Sequence, residues 1–416
     1  MRSRWRKAAV PVLPVLGLTA LAGAPAQADP PAPTRQVDYR GHRFTVPGSW
    51  QVVDLAENPA ACVRFDRHAV YLGRPGADQD CPSHAVGRTE ALLVEPDGNT
   101  AAEQGTVAEP AKRQYRARAD KLTVTATYDT DPELVRTILS GAEVPAAAPR
   151  VQELSPAPPE AAPALPASAT YHSGKGFDTC TAPSSRAMST WQDSSPYSAV
   201  GIYIGGSKRA CSQPNLTASW VRQQADDGWR FVPLYVGTQA SGISSPTAQG
   251  ASAAEDAAGD AAALGFGPGA ILYYDMEAYS ASYTAKVLAF EEAWTKELHA
   301  RGYRSGWYSS SGSGISDLVD HYGERTMPDV IYNGLWNGLA DTLDPSVPSP
   351  FWADHQRIHQ YSGNRRETWG GTTINIDQDY LDVRLAADPV PDASSTPWLA
   401  SMPAITSARP SSKWRS

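Results

Sequence analysis

Two hydrophobic rhythms divide the chain. Between residues 171 and 387, short β-branched and aromatic runs alternate with longer stretches whose apolar residues recur every three or four positions. The short runs predict strands at 174–178 (GKGFD), 199–205 (AVGIYIG), 230–236 (RFVPLYV), 270–277 (AILYYDME), 303–309, 329–332 (DVIY), 357–361 (RIHQY) and 372–377 (TTINID). The longer stretches predict helices at 184–191, 216–225, 247–264, 282–301 and 313–322. The helix at 282–301 is the clearest: Val287, Phe290, Trp294 and Leu298 form one stripe, and Gly302 follows its end. Pro233 counts against a central strand at 230–236, because it cannot donate to a ladder, but the flanking pattern is strong. Alternation of strand and helix implies parallel strands with right-handed crossovers. Eight strands over this length predict an α/β fold, a (β/α)8 TIM-type barrel. A doubly wound open sheet fits less well, since no glycine-rich phosphate fingerprint follows the first strand.

Residues 29–142 keep the strand rhythm, with runs at 43–46 (RFTV), 69–72 (AVYL), 90–94 (EALLV) and 122–128 (LTVTATY). One helix is predicted at 131–140, opened by Asp131 as cap and Pro132 as first residue. The expectation is a small N-terminal β-rich α+β accessory domain. Its histidines, His42, His68 and His84, lie far apart in sequence and read as unrelated surface residues rather than a ligand triad. Residues 143–170 are expected to be a linker: seven of the residues 141–170 are Pro and ten are Ala, a composition that favours a polyproline II spacer. Residues 388–416 have no apolar period and read as a disordered tail.

Charge and the first residues add a location. The 416 residues carry a net charge of −8, which argues against a nucleic-acid binder. Arg2, Arg4, Arg6 and Lys7 precede an apolar stretch at 8–24 and the A-x-A site Ala26-Gln27-Ala28, so 1–28 reads as a signal peptide. Its removal takes the net charge to −12. No later segment could span a bilayer, so a secreted, extracellular or wall-associated monomer is expected, without nucleic-acid or membrane partners. In an oxidising compartment the four cysteines read as disulfides, most economically Cys62–Cys81 and Cys180–Cys211. There is no C-x-x-C, H-E-x-x-H, G-x-S-x-G or P-loop, and His355 and His359 do not share a helix face. No metal or organic cofactor is expected.

The active site of a barrel lies at the C-terminal ends of its strands. There the chain places Asp178, the Asp275-Met276-Glu277 triplet, Gln360 and Tyr361, then Asp377 and Asp379. Side chains alternate along a strand, so Asp275 and Glu277 point to one side, their Cα atoms about 6.5–7 Å apart. Glycoside hydrolysis needs such a pair, one carboxyl protonated and one ionised. Neighbouring carboxylates raise one another's pKa, which suits a general acid near neutrality. The candidate catalytic residues are Glu277, Asp275, Asp178 and Asp377. Tyr203, Tyr235, Tyr273, Trp336, Gln360 and Asp379 are the candidate substrate-binding residues, since flat rings with polar edges suit sugar faces. A plain acidic rim is the bland alternative.

GFD at 176–178, YYDME at 273–277, and HQYSG at 359–363 leading to NID at 375–377 together resemble a family of secreted glycoside-hydrolase-like barrel domains of high-GC Gram-positive bacteria, formerly a domain of unknown function. That family is itself similar to the family 25 lysozymes, which cleave peptidoglycan. The resemblance covers residues 171–387. It implies Glu277 as the acid, Asp275 as its partner carboxylate, and Asp178 and Asp377 as the first- and last-strand acids. Asp379 stands where the lysozymes more often carry an amide. The expected function is hydrolysis of glycosidic bonds in peptidoglycan or a related wall polysaccharide, with a wall glycan as partner. The alternative is a non-catalytic carbohydrate-binding pseudoenzyme on the same barrel.

Overall fold

A computed structural model describes residues 33–97, 104–145 and 164–386. The expected signal peptide, most of the linker and the tail lie outside the described residues. Strands β1 (Thr34–Tyr39) and β2 (His42–Pro47) form an antiparallel hairpin. Its two turn residues, Arg40 and Gly41, both have positive φ, as a tight hairpin requires. A second sheet has the order β3 (Gln51–Asp54), β4 (Ala69–Leu72), β5 (Ala91–Pro96), β8 (Leu122–Thr127), β7 (Gln114–Ala119) and β6 (Gly105–Glu109). Helix α1 (Pro132–Gly141) covers it, with Asp131 accepting the cap bond from the Leu134 amide. Four of these strands match the sequence expectation. β1, β3, β6 and β7 do not announce themselves, because they carry charged or small residues on exposed faces.

The second half closes into an eight-stranded barrel: β9 (His172–Asp178), β10 (Ala199–Gly205), β11 (Arg230–Tyr235), β12 (Ile271–Asp275), β13 (Arg304–Ser310), β14 (Val330–Gly334), β15 (Gln356–Trp369) and β16 (Thr372–Val383). Helices α2 (Ser185–Ser194), α3 (Ala218–Asp226), α4 (Pro246–Leu264), α5 (Thr284–Ala300) and the short α6 (Ser316–Asp320) follow the first five strands. Among the described residues no helix follows β14 or β15, and β16 runs antiparallel to both β15 and β9. The barrel therefore departs from a regular (β/α)8 arrangement. The cause is local: β15 and β16 are joined by Gly370 and Gly371, both at positive φ, and a two-residue turn joins only antiparallel strands.

Period two sorts the barrel side chains into two layers. On β12, Ile271 and Tyr273 fill the barrel interior with Leu234, Tyr332, Ile358 and Leu381. Leu272, Tyr274 and Met276 face outward onto the helices, where the α5 stripe Val287, Phe290, Trp294 and Leu298 is fully buried. Pro233 is accommodated because the ladder from β11 to β12 begins only at Leu234↔Tyr273, so the missing N–H leaves no gap on that side.

The cysteines pair as Cys62–Cys81 and Cys180–Cys211. The two bridges pack against each other, with the Cys62 and Cys211 Sγ atoms 4.0 Å apart. They mark a seam between the N-terminal part and the barrel rim. Backbone bonds cross it from Phe65 N to Ala210 O (2.7 Å), Ser212 N to Val63 O (3.0 Å) and Gly87 N to Lys208 O (2.9 Å). Ion pairs Lys112–Asp260 and Lys208–Asp129 add to it. Among the described residues no helix is long and apolar enough to cross a membrane.

Candidate active site

The barrel mouth brings the predicted acids together, although Asp377 and Asp379 lie in the middle of the antiparallel β16 and not at a C-terminal strand end as expected. Asp377 on β16 lies opposite Asp178 on β9 in the antiparallel register, and Asp379 lies opposite Gly176. Asp178 neighbours Gly201 on β10. A Cβ at 201 would fall inside contact distance of the Asp178 Cβ, so the glycine makes room for the acid. Gly201→Ala is expected to lower stability by about 1–3 kcal/mol, an overpacking penalty read as a drop in Tm.

Asp178 is held by three donors. Tyr203 Oη donates to Oδ1 at 2.9 Å, while Tyr332 Oη and Gln360 Nε2 lie 2.9 and 2.8 Å from Oδ2. Burial, reinforced by Asp377, pushes its carboxyl up to about 7. Asp377 accepts from the Asn364 amide at 2.6 Å and from the Ser83 hydroxyl. Asp379 lies deeper, bonded to Tyr332 Oη at 2.8 Å, and burial raises its pKa strongly.

Asp275 and Glu277 part company in environment. Gln239 clamps the end of β12, its Nε2 donating to Asp275 O and its Oε1 accepting from Glu277 N, both at 2.9 Å. Asp275 is 1 % exposed, and neither carboxylate oxygen has a hydrogen-bond partner among the described residues. Burial, then the charge of Glu277, raises its pKa well above the usual carboxylate range. The Glu277 side chain is 39 % exposed and meets His84 Nε2 at 2.7 Å. Burial acts to raise its pKa too, but the hydrogen bond and charge of His84 outweigh burial and lower it. Their surroundings thus push the two carboxyl pKa values in opposite directions.

His84 comes from outside the barrel. Its Nδ1 lies 2.7 Å from Tyr203 Oη, so a continuous chain runs Glu277, His84, Tyr203, Asp178. Burial alone would lower the imidazole pKa, but Glu277 and the other acids raise it to about 10. A ligand atom of His84 lies within 4.8 Å of carboxylate oxygens in both the Asp275–Glu277 and the Asp178–Asp377 pairs.

Among the predicted binding residues, Tyr203 and Gln360 join this network, and Trp336 stands at its edge. The Trp336 indole donates to Gln360 Oε1 at 3.0 Å, and its side chain is 63 % exposed. Tyr235 and Tyr273 are elsewhere. Tyr235 faces outward, donating to Asp256 on α4. Tyr273 is fully buried in the barrel interior, packed edge-on against Tyr332. Tyr235 has the outward phase of its strand, whereas Tyr273 shares the inward phase of Asp275 but lies one step below the mouth. His84, Ser83 and Gln239 escaped sequence reasoning. His84 lies 193 residues from Glu277, and no local pattern links the two.

No curated protein matches the chain. Two solved structures resemble it over half its length. One is an uncharacterized B. stearothermophilus protein, at 19 % identity, covering 50 % of this chain and 95 % of that one, with a TM-score of 0.39. The other is the catalytic domain of endolysin ply40 from bacteriophage P40 of Listeria monocytogenes, at 14 % identity, covering 50 % and 93 %, with a TM-score of 0.34. Residues 189–381, running from α2 into β16, match the family model of the Rv2525c-like, glycoside hydrolase-like domain.

Proposed function

We propose that the protein is a secreted glycosidase that cleaves peptidoglycan or a related wall polysaccharide. The observation that carries this reading is the Asp275–Glu277 pair, two neighbouring carboxyl groups at one strand end, Asp275 buried and Glu277 partly exposed, within a glycoside hydrolase-like domain. Glu277 is the general acid, because it is the clustered carboxyl with an open approach to a leaving-group oxygen. Asp275, behind it, is the partner that exchanges the proton with Glu277 or orients a 2-acetamido group. Asp178 and Asp377 set the field on the opposite side of the mouth. The disulfides agree with an extracellular location, and the signal peptide expected at 1–28 supplies the route.

Trp336 is the proposed sugar platform. Its ring lies where a Cβ on Gly363 would collide, so the glycine keeps the indole flat against β15 beside Gln360. Trp336→Ala is expected to raise KM for a soluble wall fragment about 3- to 10-fold with little change in kcat, the loss of one aromatic contact of about 0.5–1.5 kcal/mol. Steady-state kinetics on muropeptide oligomers check it.

The test of the function is reducing-end release from purified peptidoglycan by the full chain across pH 4–8. New reducing ends, with muropeptide masses fixing the bond cut, support the hydrolase. One observation favours a glycan-binding pseudoenzyme instead: Asp178, Asp275, Asp377 and Asp379 are all buried. Wall pull-down without release at any pH, with His84 intact or removed, would establish that reading.

A further inference from the structure

Residues from the N-terminal part of the chain sit directly on the acid cluster. Four residues, Pro82 to Ala85, have no regular structure and hang between two fixed points. On one side Cys81 is tied to Cys62. On the other, Val86 forms a bridge with Arg209, and Gly87 N donates to Lys208 O at 2.9 Å. From these anchors the segment crosses the barrel mouth from β16 to β12. Asp80 pairs with Arg366, Cys81 O accepts from Asn375, Ser83 bonds to Asp377, and His84 reaches Glu277 and Tyr203. Each step of the path lies on a residue at or beside the candidate active site.

We propose that residues 80–87 form a built-in cap, which closes the glycan site by seating Ser83 and His84 on the barrel carboxylates and must lift before a polysaccharide enters. The inference rests on the hydrolase reading for its substrate, but the closure stands on geometry alone. Asp178, Asp275 and Asp377 are each no more than 2 % exposed, whereas a sugar or its acetamido group must touch acids of this kind to react. The cap also sets the chemistry against the acid mechanism. With His84 docked, Glu277 is ionised, the wrong state for donating a proton. Lifting His84 removes the hydrogen bond and the charge that chiefly lower the Glu277 pKa, so its carboxyl is easier to protonate. One movement therefore opens the site and favours the acid form. Movement is feasible because the segment is irregular between its anchors and the His84 side chain keeps a 24 % exposed edge.

The experiment compares wild type, His84→Ala and Arg366→Ala as full chains. Carbodiimide with glycine ethyl ester labels accessible carboxyl groups, and mass spectrometry reads Asp178 and Asp377. Binding of an N-acetylglucosamine tetramer and release from peptidoglycan are measured alongside. In His84→Ala, labelling of both acids is expected to rise at least about fivefold and release at least about tenfold, a shift of population from closed to open. Arg366→Ala breaks only an exposed pair and leaves the core intact, so it answers the question if His84→Ala folds poorly. Its labelling is expected to rise about twofold or more. Increased labelling and tetramer binding without release would keep the cap and remove the hydrolase reading. Unchanged labelling in both variants, or release that falls when His84 is removed from a folded protein, overturns the cap.

Discussion

Glu277→Gln is expected to reduce release of reducing ends from peptidoglycan by about 10²–10⁴-fold, the usual worth of a positioned general acid or base. The substitution keeps the shape and the backbone bond to Gln239, so the strand end stays in place. It removes the proton that the leaving oxygen must receive. The effect belongs in kcat, because Gln retains the contacts that bind substrate. The comparison is best made twice, in wild type and in His84→Ala, since an enzyme limited by opening of its cap would hide part of a chemical defect. In the open background the full loss is expected. Asp275→Asn serves as the companion: it leaves Glu277 in position while removing its proton-exchange partner. Retained release in Glu277→Gln, with mass-identified products, would transfer the acid role to another carboxyl of the cluster and end the present assignment.

The strands, the helices behind them and the acids at their ends were legible because they depend on local periodicity. A strand of period two places Asp275 and Glu277 together wherever the strand goes, and barrel closure brings Asp178 to Asp377. What local pattern does not reveal is phase and partnership. Tyr235 and Tyr273 sit on the expected strands, yet a step of one residue decides whether a ring faces the helices, and a step of two whether it lies at the mouth or below it. The antiparallel closing strand was written in Gly370-Gly371, a two-residue turn signal outweighed by the regular alternation before it. His84 is the larger omission. Its identity as a site residue comes from docking of the N-terminal part across a seam of disulfides and backbone bonds, an arrangement with no trace in the residues around it. A lone histidine flanked by Ser and Ala carries no signal until the fold has carried it across the barrel.

The same cluster predicts an unusual pH dependence of stability, highest in mild acid and falling through neutrality. Asp178 has its folded pKa raised by burial and by Asp377 from 3.8 to about 7. A raised group contributes stability that is fully present below its unfolded value and lost as pH rises through the folded one. The window for Asp178 is therefore about pH 4 to 7. Within it the slope approaches that of one proton, about 1.4 kcal/mol per pH unit, so the full effect is on the order of 4 kcal/mol. Glu291, on the buried face of α5 and bonded to Thr295, is raised by burial to about 8 and extends the decline. For His84, raised from 6.5 to about 10, the loss falls at still higher pH. The acid limit has a different origin. Burial acts to raise Glu90, but its carboxylate accepts the amides of Asp129, Thr130 and Asp131, each at 3.0 Å, and these lower it to about 2. That stability is present above about pH 4.5 and lost as pH falls through 2, so Tm is expected to peak near pH 4–5. Urea unfolding of wild type and Asp178→Asn between pH 4 and 8 decides the matter. The variant, neutral at every pH and able to accept from one side of the pocket through its single amide oxygen, is expected to flatten the decline from pH 4 to 7 and leave the alkaline limb in place. A wild-type profile that climbs from pH 4 to 7 would mean that Asp178 is ionised in the folded barrel, and with it the reading of the mouth as a reservoir of protonated carboxyl groups would fail.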